Sequence, residues 1–136
     1  QAAALLATFE LFPEEVDLRQ AIGDRYSSLI SSLGGLGITV PSIAEGSTSV
    51  YAQYTILSED RDSLQAQLKS ADVPSVAYYT VPLHLQPVFA GLNYRRGDFP
   101  VTEKISDQCL SLPMSAYLPD ADLQRVVEAL EDVNSG

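Results

Sequence analysis

The sequence predicts an α/β two-layer sandwich, a small three-stranded sheet, mostly antiparallel or mixed, with helices packed on it. Three observations predict it. Residues 49–58 alternate in strand period with β-branched and aromatic side chains. Apolar positions at helical spacing follow Asp60, Pro100 and Pro119, residues suited to opening a helix. The order is helix, helix, strand, helix, strand, helix, strand, helix, so three strands meet helices long enough to cover one face.

Residues 1–12 place Leu5, Leu6, Phe9 and Phe12 on one helical face, and Pro13 with Glu14 and Glu15 opens a second piece with acids in its first turn. A kinked pair of helices is expected over 1–33. The second piece carries Val16, Ile22, Tyr26, Leu29, Ile30 and Leu33, and it stops at Gly34-Gly35, where glycine takes the left-handed cap conformation. Gly34-Gly35-Leu36-Gly37 follows a helix rather than a strand, so it reads as a helix stop and not as a phosphate loop. Residues 38–48 read as connection, punctuated by Pro41 and Gly46. In the strand that follows, Val50, Ala52, Tyr54 and Ile56 alternate with Tyr51, Gln53, Thr55 and Leu57.

Asp60 caps a helix to about Ser70 with Leu64 and Leu68 turned inward. A second strand is expected over 76–79, then a loop over 79–87 leading to Val88-Phe89 and a turn with Gly91, Asn93 and Gly97. Pro100 opens a helix whose Val101, Ile105 and Cys109 recur at i, i+4 and i+8 and are expected to face the core. Leu110-Ser111-Leu112 reads as a short third strand stopped by Pro113. Pro119 and two aspartates start a last helix with Leu123, Val126, Val127 and Leu130 on one face.

At 136 residues the chain is one domain by size, long enough to bury a single core. Gln1 leads directly into Ala2-Ala3-Ala4-Leu5-Leu6, which reads as the middle of a helix, so the chain is expected to be a fragment. Hydrophobic residues at 46% and charged residues at 19% place it among globular chains. A formal charge of −10, with Lys and Arg numbering 8, argues against nucleic acid or an anionic membrane as partner. The single Cys109 cannot form an internal disulfide and suits a reducing, cytoplasmic setting. No apolar run approaches the length of a membrane span.

Residues 75–87 are the candidate binding stretch. They hold two adjacent tyrosines and the single histidine, and Pro82 and Pro87 make residues 80–86 a held loop that presents Tyr79 and His84 in fixed directions. A packing role competes and on residues alone is favoured: tyrosines at a strand end usually pack with a wet hydroxyl, and a lone histidine is more often structural than catalytic. One His, one Cys and scattered carboxylates have no metal-ligand spacing. His84 has no Ser or Cys elbow nearby, and Lys69 and Lys104 lie at solvent positions on helices rather than where burial or a cation would lower their pKa.

Four segments nonetheless occur in a telling order: Ser49-Val50-Tyr51-Ala52-Gln53-Tyr54-Thr55-Ile56, Tyr78-Tyr79-Thr80-Val81-Pro82-Leu83-His84-Leu85-Gln86-Pro87, Gly97-Asp98-Phe99-Pro100-Val101-Thr102-Glu103 and Leu110-Ser111-Leu112-Pro113-Met114. Together they resemble the C-terminal part of sugar-nucleotide aminotransferases of the DegT/DnrJ/StrS type, over essentially the whole chain. The resemblance implies a pyridoxal-phosphate enzyme of the aspartate aminotransferase fold type I, with 1–136 its C-terminal small domain and 1–33 the kinked interdomain helix. It places the cofactor's lysine, ring-nitrogen aspartate and phosphate-binding residues upstream of Gln1, so no catalytic or cofactor-binding residue is expected in this chain, and the chain alone is expected to be inactive. It implies that Tyr78, Tyr79 and His84 contact the sugar nucleotide; this sequence has Tyr78 where many relatives carry His.

The Ala-Gln-Tyr-Thr segment is most similar to the subgroup that aminates a 3-keto UDP-N-acetyl-hexuronic acid, with glutamate as amino donor, for cell-surface polysaccharide such as lipopolysaccharide O-antigen. Enzymes acting on a 4-keto deoxy-sugar nucleotide share most of these motifs, and a non-catalytic module that binds sugar nucleotides is the reading from another class. A homodimeric parent is implied.

Overall fold

The computed structural model describes residues 2–132. Its elements are α1 (Ala2–Leu33), β1 (Ile38–Thr39), β2 (Tyr54–Ser58), α2 (Arg61–Ser70), α3 (Pro100–Gln108), β3 (Cys109–Leu112) and α4 (Asp120–Asp132), with two 3-10 turns at Leu83–Leu85 and Pro87–Leu92. The sheet runs β1-β2-β3 and is antiparallel throughout; Tyr54 pairs with Leu112, Ile56 with Leu110 and Ile38 with Ser58. Tyr54 and Ile56, with Leu110 and Leu112, form one apolar face. Tyr26 and Ile30 of α1, Leu64 and Leu68 of α2, and Leu123, Val126, Val127 and Leu130 of α4 close over it in one core. The two-layer α/β sandwich is therefore as expected.

Several elements differ from expectation. The helix α1 runs through Pro13 without the expected division into two pieces. Proline's own φ is helical; what it removes is one amide donor and the close approach to the carbonyl four residues back. That carbonyl belongs to Phe9 in an exposed stretch, where water can satisfy it. Only the second half of α1 packs on the sheet, and Leu5, Leu6, Phe9, Leu11 and Phe12 are exposed.

The expected strand over 49–58 begins only at Tyr54. Tyr51 stands in its way, with φ 42°, a left-handed conformation that side chains rarely adopt. Its ring is buried against Gly23 of α1, so close that a Cβ on Gly23 would lie 2.3 Å from Tyr51 Cδ2. The same ring sits 5.6 Å from that of Tyr54, which stacks on Tyr26 at 4.9 Å. With this conformation the Tyr51 ring fills the slot between Gly23 of α1 and the Tyr54 ring.

The expected strand over 76–79 reduces to one bridge, Val76 to Ser111, beyond which Tyr78 and Tyr79 turn to solvent. Pro74 and Pro113 lack the amides that would extend the ladder on the other side. The third strand is instead β1, within the stretch expected as connection; two residues are too short to show a period. The loop over 79–87 and the turn after it contain the two 3-10 turns, the second closed by Asn93 in the left-handed conformation.

The helix α3 is rotated from the expected face. Val101 and Ile105 are 72% and 45% exposed, while Glu103 and Ser106 are buried. Cys109 is buried as the first residue of β3. A carboxylate buried with its hydrogen bonds made has overridden the apolar pattern.

Candidate functional site

Tyr78 and Tyr79 leave the sheet just after the Val76 bridge, and Val76 and Ser111 exchange backbone hydrogen bonds of 3.1 and 2.8 Å there. The two phenols are 53% and 74% exposed, with ring centroids 6.4 Å apart. Tyr78 borders an open groove of about 180 Å³ shared with Gln53, Ser75, Ser111 and Met114. The wall offers a phenol, a carboxamide and hydroxyls beside apolar surface, a set suited to a polyhydroxylated ligand.

His84 lies elsewhere in character. It sits in the 3-10 turn Leu83–Leu85, after the buried Pro82, and its side chain is 7% exposed. Its ring is 4.8 Å from that of Phe99, and its Nε2 is 3.0 Å from Glu103 Oε1. An ionised carboxylate only accepts, so Nε2 carries the hydrogen of this bond. The ring's partners are thus Glu103 and Phe99 rather than the tyrosine pair.

Glu103 gathers more than the histidine. The Gly97 N–H donates to its two oxygens at 2.8 and 2.9 Å, and the Phe99 N–H donates to Oε1 at 3.3 Å. Desolvation works against its charge, but the bonds from Gly97, His84 and Phe99 outweigh it and hold the carboxyl below its ordinary value. The bond back to Phe99, the residue before α3, resembles one arm of a capping box. Glu103 is not among the site residues expected from the sequence, and it stands one position beyond the usual capping-box spacing from the N-cap Phe99, so no local signal marks it.

Tyr26 and Tyr54, whose phenol pKa values are both raised, belong to the core. Burial pushes the Tyr54 phenol up to about 12, against a 2.8 Å hydrogen bond with Ser27, and burial raises Tyr26, whose hydroxyl donates to Pro113 O at 3.1 Å. Lys69 and Lys104 are exposed on α2 and α3. Among the described residues no three His, Cys, Asp or Glu side chains gather as metal ligands, and no helix is long and apolar enough to cross a membrane.

Residues 1–131 match the DegT/DnrJ/EryC1/StrS aminotransferase family. The chain is 42% identical over 130 residues to UDP-2-acetamido-2-deoxy-3-oxo-D-glucuronate aminotransferase of Pseudomonas aeruginosa, a match covering 96% of this chain and 34% of that protein. It is 38% identical to the pleiotropic regulatory protein of Geobacillus stearothermophilus, over 97% of this chain and 36% of that one. Among solved structures, a DegT DnrJ EryC1 StrS aminotransferase from Brucella abortus superposes with a TM-score of 0.86 at 37% identity, covering 97% of this chain and 34% of that one. DesV of S. venezuelae, in complex with a ketimine intermediate, superposes with a TM-score of 0.91 at 30% identity, covering 97% and 35%. The chain spans about a third of the length of the curated relatives it matches.

Proposed function

Because the chain belongs to the DegT/DnrJ/EryC1/StrS aminotransferase family, we propose that it is the C-terminal small domain of an enzyme transferring an amino group from glutamate to a keto sugar nucleotide. The substrate in this reading is a 3-keto UDP-N-acetyl-hexuronic acid destined for cell-surface polysaccharide such as O-antigen, and the enzyme is a cytoplasmic homodimer. The observation that carries the reading is the identity with the Pseudomonas aeruginosa aminotransferase along nearly the whole chain. Its fold is that of the fold type I aminotransferases.

Aminotransferases of this family use pyridoxal phosphate, which supplies the carbanion chemistry of amino transfer. The described residues do not fit the cofactor: both lysines stand exposed on the surfaces of α2 and α3 rather than enclosed in a site. No chemical step is therefore assigned to them. The contribution of this chain is to binding. Tyr78 and Tyr79 supply phenols that donate to and accept from sugar hydroxyls, and their rings cover the sugar face beside the groove. His84 holds a later point of the same loop through Glu103 and Phe99.

The test is the full-length enzyme, supplied with glutamate and the UDP-linked 3-keto hexuronic acid, with the amino sugar followed by mass spectrometry. Amino transfer to this substrate and not to a 4-keto deoxy-sugar nucleotide is expected. Transfer only to the 4-keto sugar would overturn the substrate, and binding of sugar nucleotide without transfer to either would overturn the activity.

A further inference from the structure

The segment that presents the tyrosine pair is held at both ends by one continuous unit, α3 followed by β3. Upstream, Val76 is tied to Ser111 by two backbone hydrogen bonds. Downstream, His84 is tied to Glu103 and packed on Phe99, and Glu103 also holds the amides of Gly97 and Phe99. Between the two anchors Tyr78, Tyr79, Thr80 and Val81 are exposed, and Pro82 stiffens the approach to the second anchor. In the turn over 93–99 the Gly97 and Phe99 amides bond to the same carboxylate, and Arg96 adds a surface contact to Asp107 of α3, so the one buried group joins this turn to the His84 turn.

We propose that Glu103 is a positioning residue for sugar-nucleotide binding: by holding His84 and the Gly97 and Phe99 amides together, it fixes the downstream end of the segment bearing Tyr78 and Tyr79 relative to β3. This rests on the reading of the tyrosine pair as substrate contacts. Glu103 itself touches no substrate. The Val76 anchor alone leaves the segment a hinge, and the second anchor removes that freedom before the ligand arrives, which is how preorganisation raises affinity.

The experiment is a double-mutant cycle in the full-length enzyme, with Glu103→Gln, Tyr79→Phe and the pair. Glu103→Gln keeps the shape of the side chain and loses its charge; it is expected to raise the KM for the sugar nucleotide about tenfold, the weight of one charge-assisted hydrogen bond, while the KM for glutamate is unchanged. In the pair the two effects should be less than additive, because an anchor has nothing left to position once the hydroxyl is gone. Should Glu103→Gln fail to fold, His84→Asn removes only the downstream anchor and should give the same rise and the same coupling. If Tyr79→Phe raises that KM and neither Glu103→Gln nor His84→Asn does, or if the effects simply add, the positioning role is overturned. If Tyr79→Phe itself changes nothing, the substrate-contact reading fails and takes the positioning role with it.

Discussion

Gly23 lies inside α1, where glycine costs about 1 kcal/mol relative to alanine. Its presence follows from the Tyr51 ring, which occupies the space a Cβ would need. Gly23→Ala should therefore destabilise the domain by about 1 to 3 kcal/mol in urea unfolding, the usual range for overpacking, in spite of alanine's better helix propensity. Gly91→Ala, where an added Cβ meets nothing within 4 Å, is the control and should change stability by less than about 0.5 kcal/mol. Equal effects at the two positions would mean that the ring does not need the gap. Glu103 leads to a dependence on pH. Its carboxyl is held below the ordinary 4.5, so its contribution is fully present above that value and is lost as pH falls through the folded-state value, where the carboxylate is finally protonated in both states. The urea midpoint of the domain should fall more steeply below about pH 4.5 than that of Glu103→Gln. Parallel curves for the two proteins would show that Glu103 does not carry this part of the acid sensitivity.

The elements divide by how much of their environment is local. α2 is legible because Asp60 accepts from the Ser63 N–H at 3.3 Å and Leu64 and Leu68 lie one turn apart, all within the helix and its first turn. α4 is legible for the same reason, its buried Leu123, Val126, Val127 and Leu130 recurring at helical spacing. α3 is not, because its orientation is set by a carboxylate whose partners sit in the preceding turn and at His84, not by Val101 and Ile105. This difference can be measured. Ile105→Lys should alter the stability of the isolated domain by less than about 0.5 kcal/mol, as an exposed substitution does. Leu110→Ala, at a fully buried position of β3, should cost about 2 to 5 kcal/mol. Comparable losses at the two positions would return Ile105 to the core.

At the scale of the whole molecule, the exposed stripe of Leu5, Leu6, Phe9 and Phe12 is an apolar face that the domain does not cover by itself. Leaving each such side chain in water forgoes roughly 1.5 to 3 kcal/mol, so in isolation the chain should associate through this stripe. Light scattering should show a concentration-dependent rise in mass that disappears when residues 1–12 are removed, while the thermal midpoint of the rest is unchanged. Association that survives the removal would place the contact elsewhere. What the sequence by itself determined is the two-layer α/β class, the helices α2 and α4, the exposed polar stretch around Tyr78 and Tyr79, and, through four segments in order, the aminotransferase family. These rest on periods, caps and motifs, which a stretch of chain carries within itself. Only the tertiary structure decided that Tyr51 abandons the strand to fill the slot at Gly23, that α3 turns Val101 and Ile105 outward, and that His84 is buried against a carboxylate 19 positions later. The physical reason is shared: a buried ring needs a gap and a buried charge needs donors, and Gly23 for the Tyr51 ring and His84 for the Glu103 carboxylate stand far off in the chain, where no local pattern announces them.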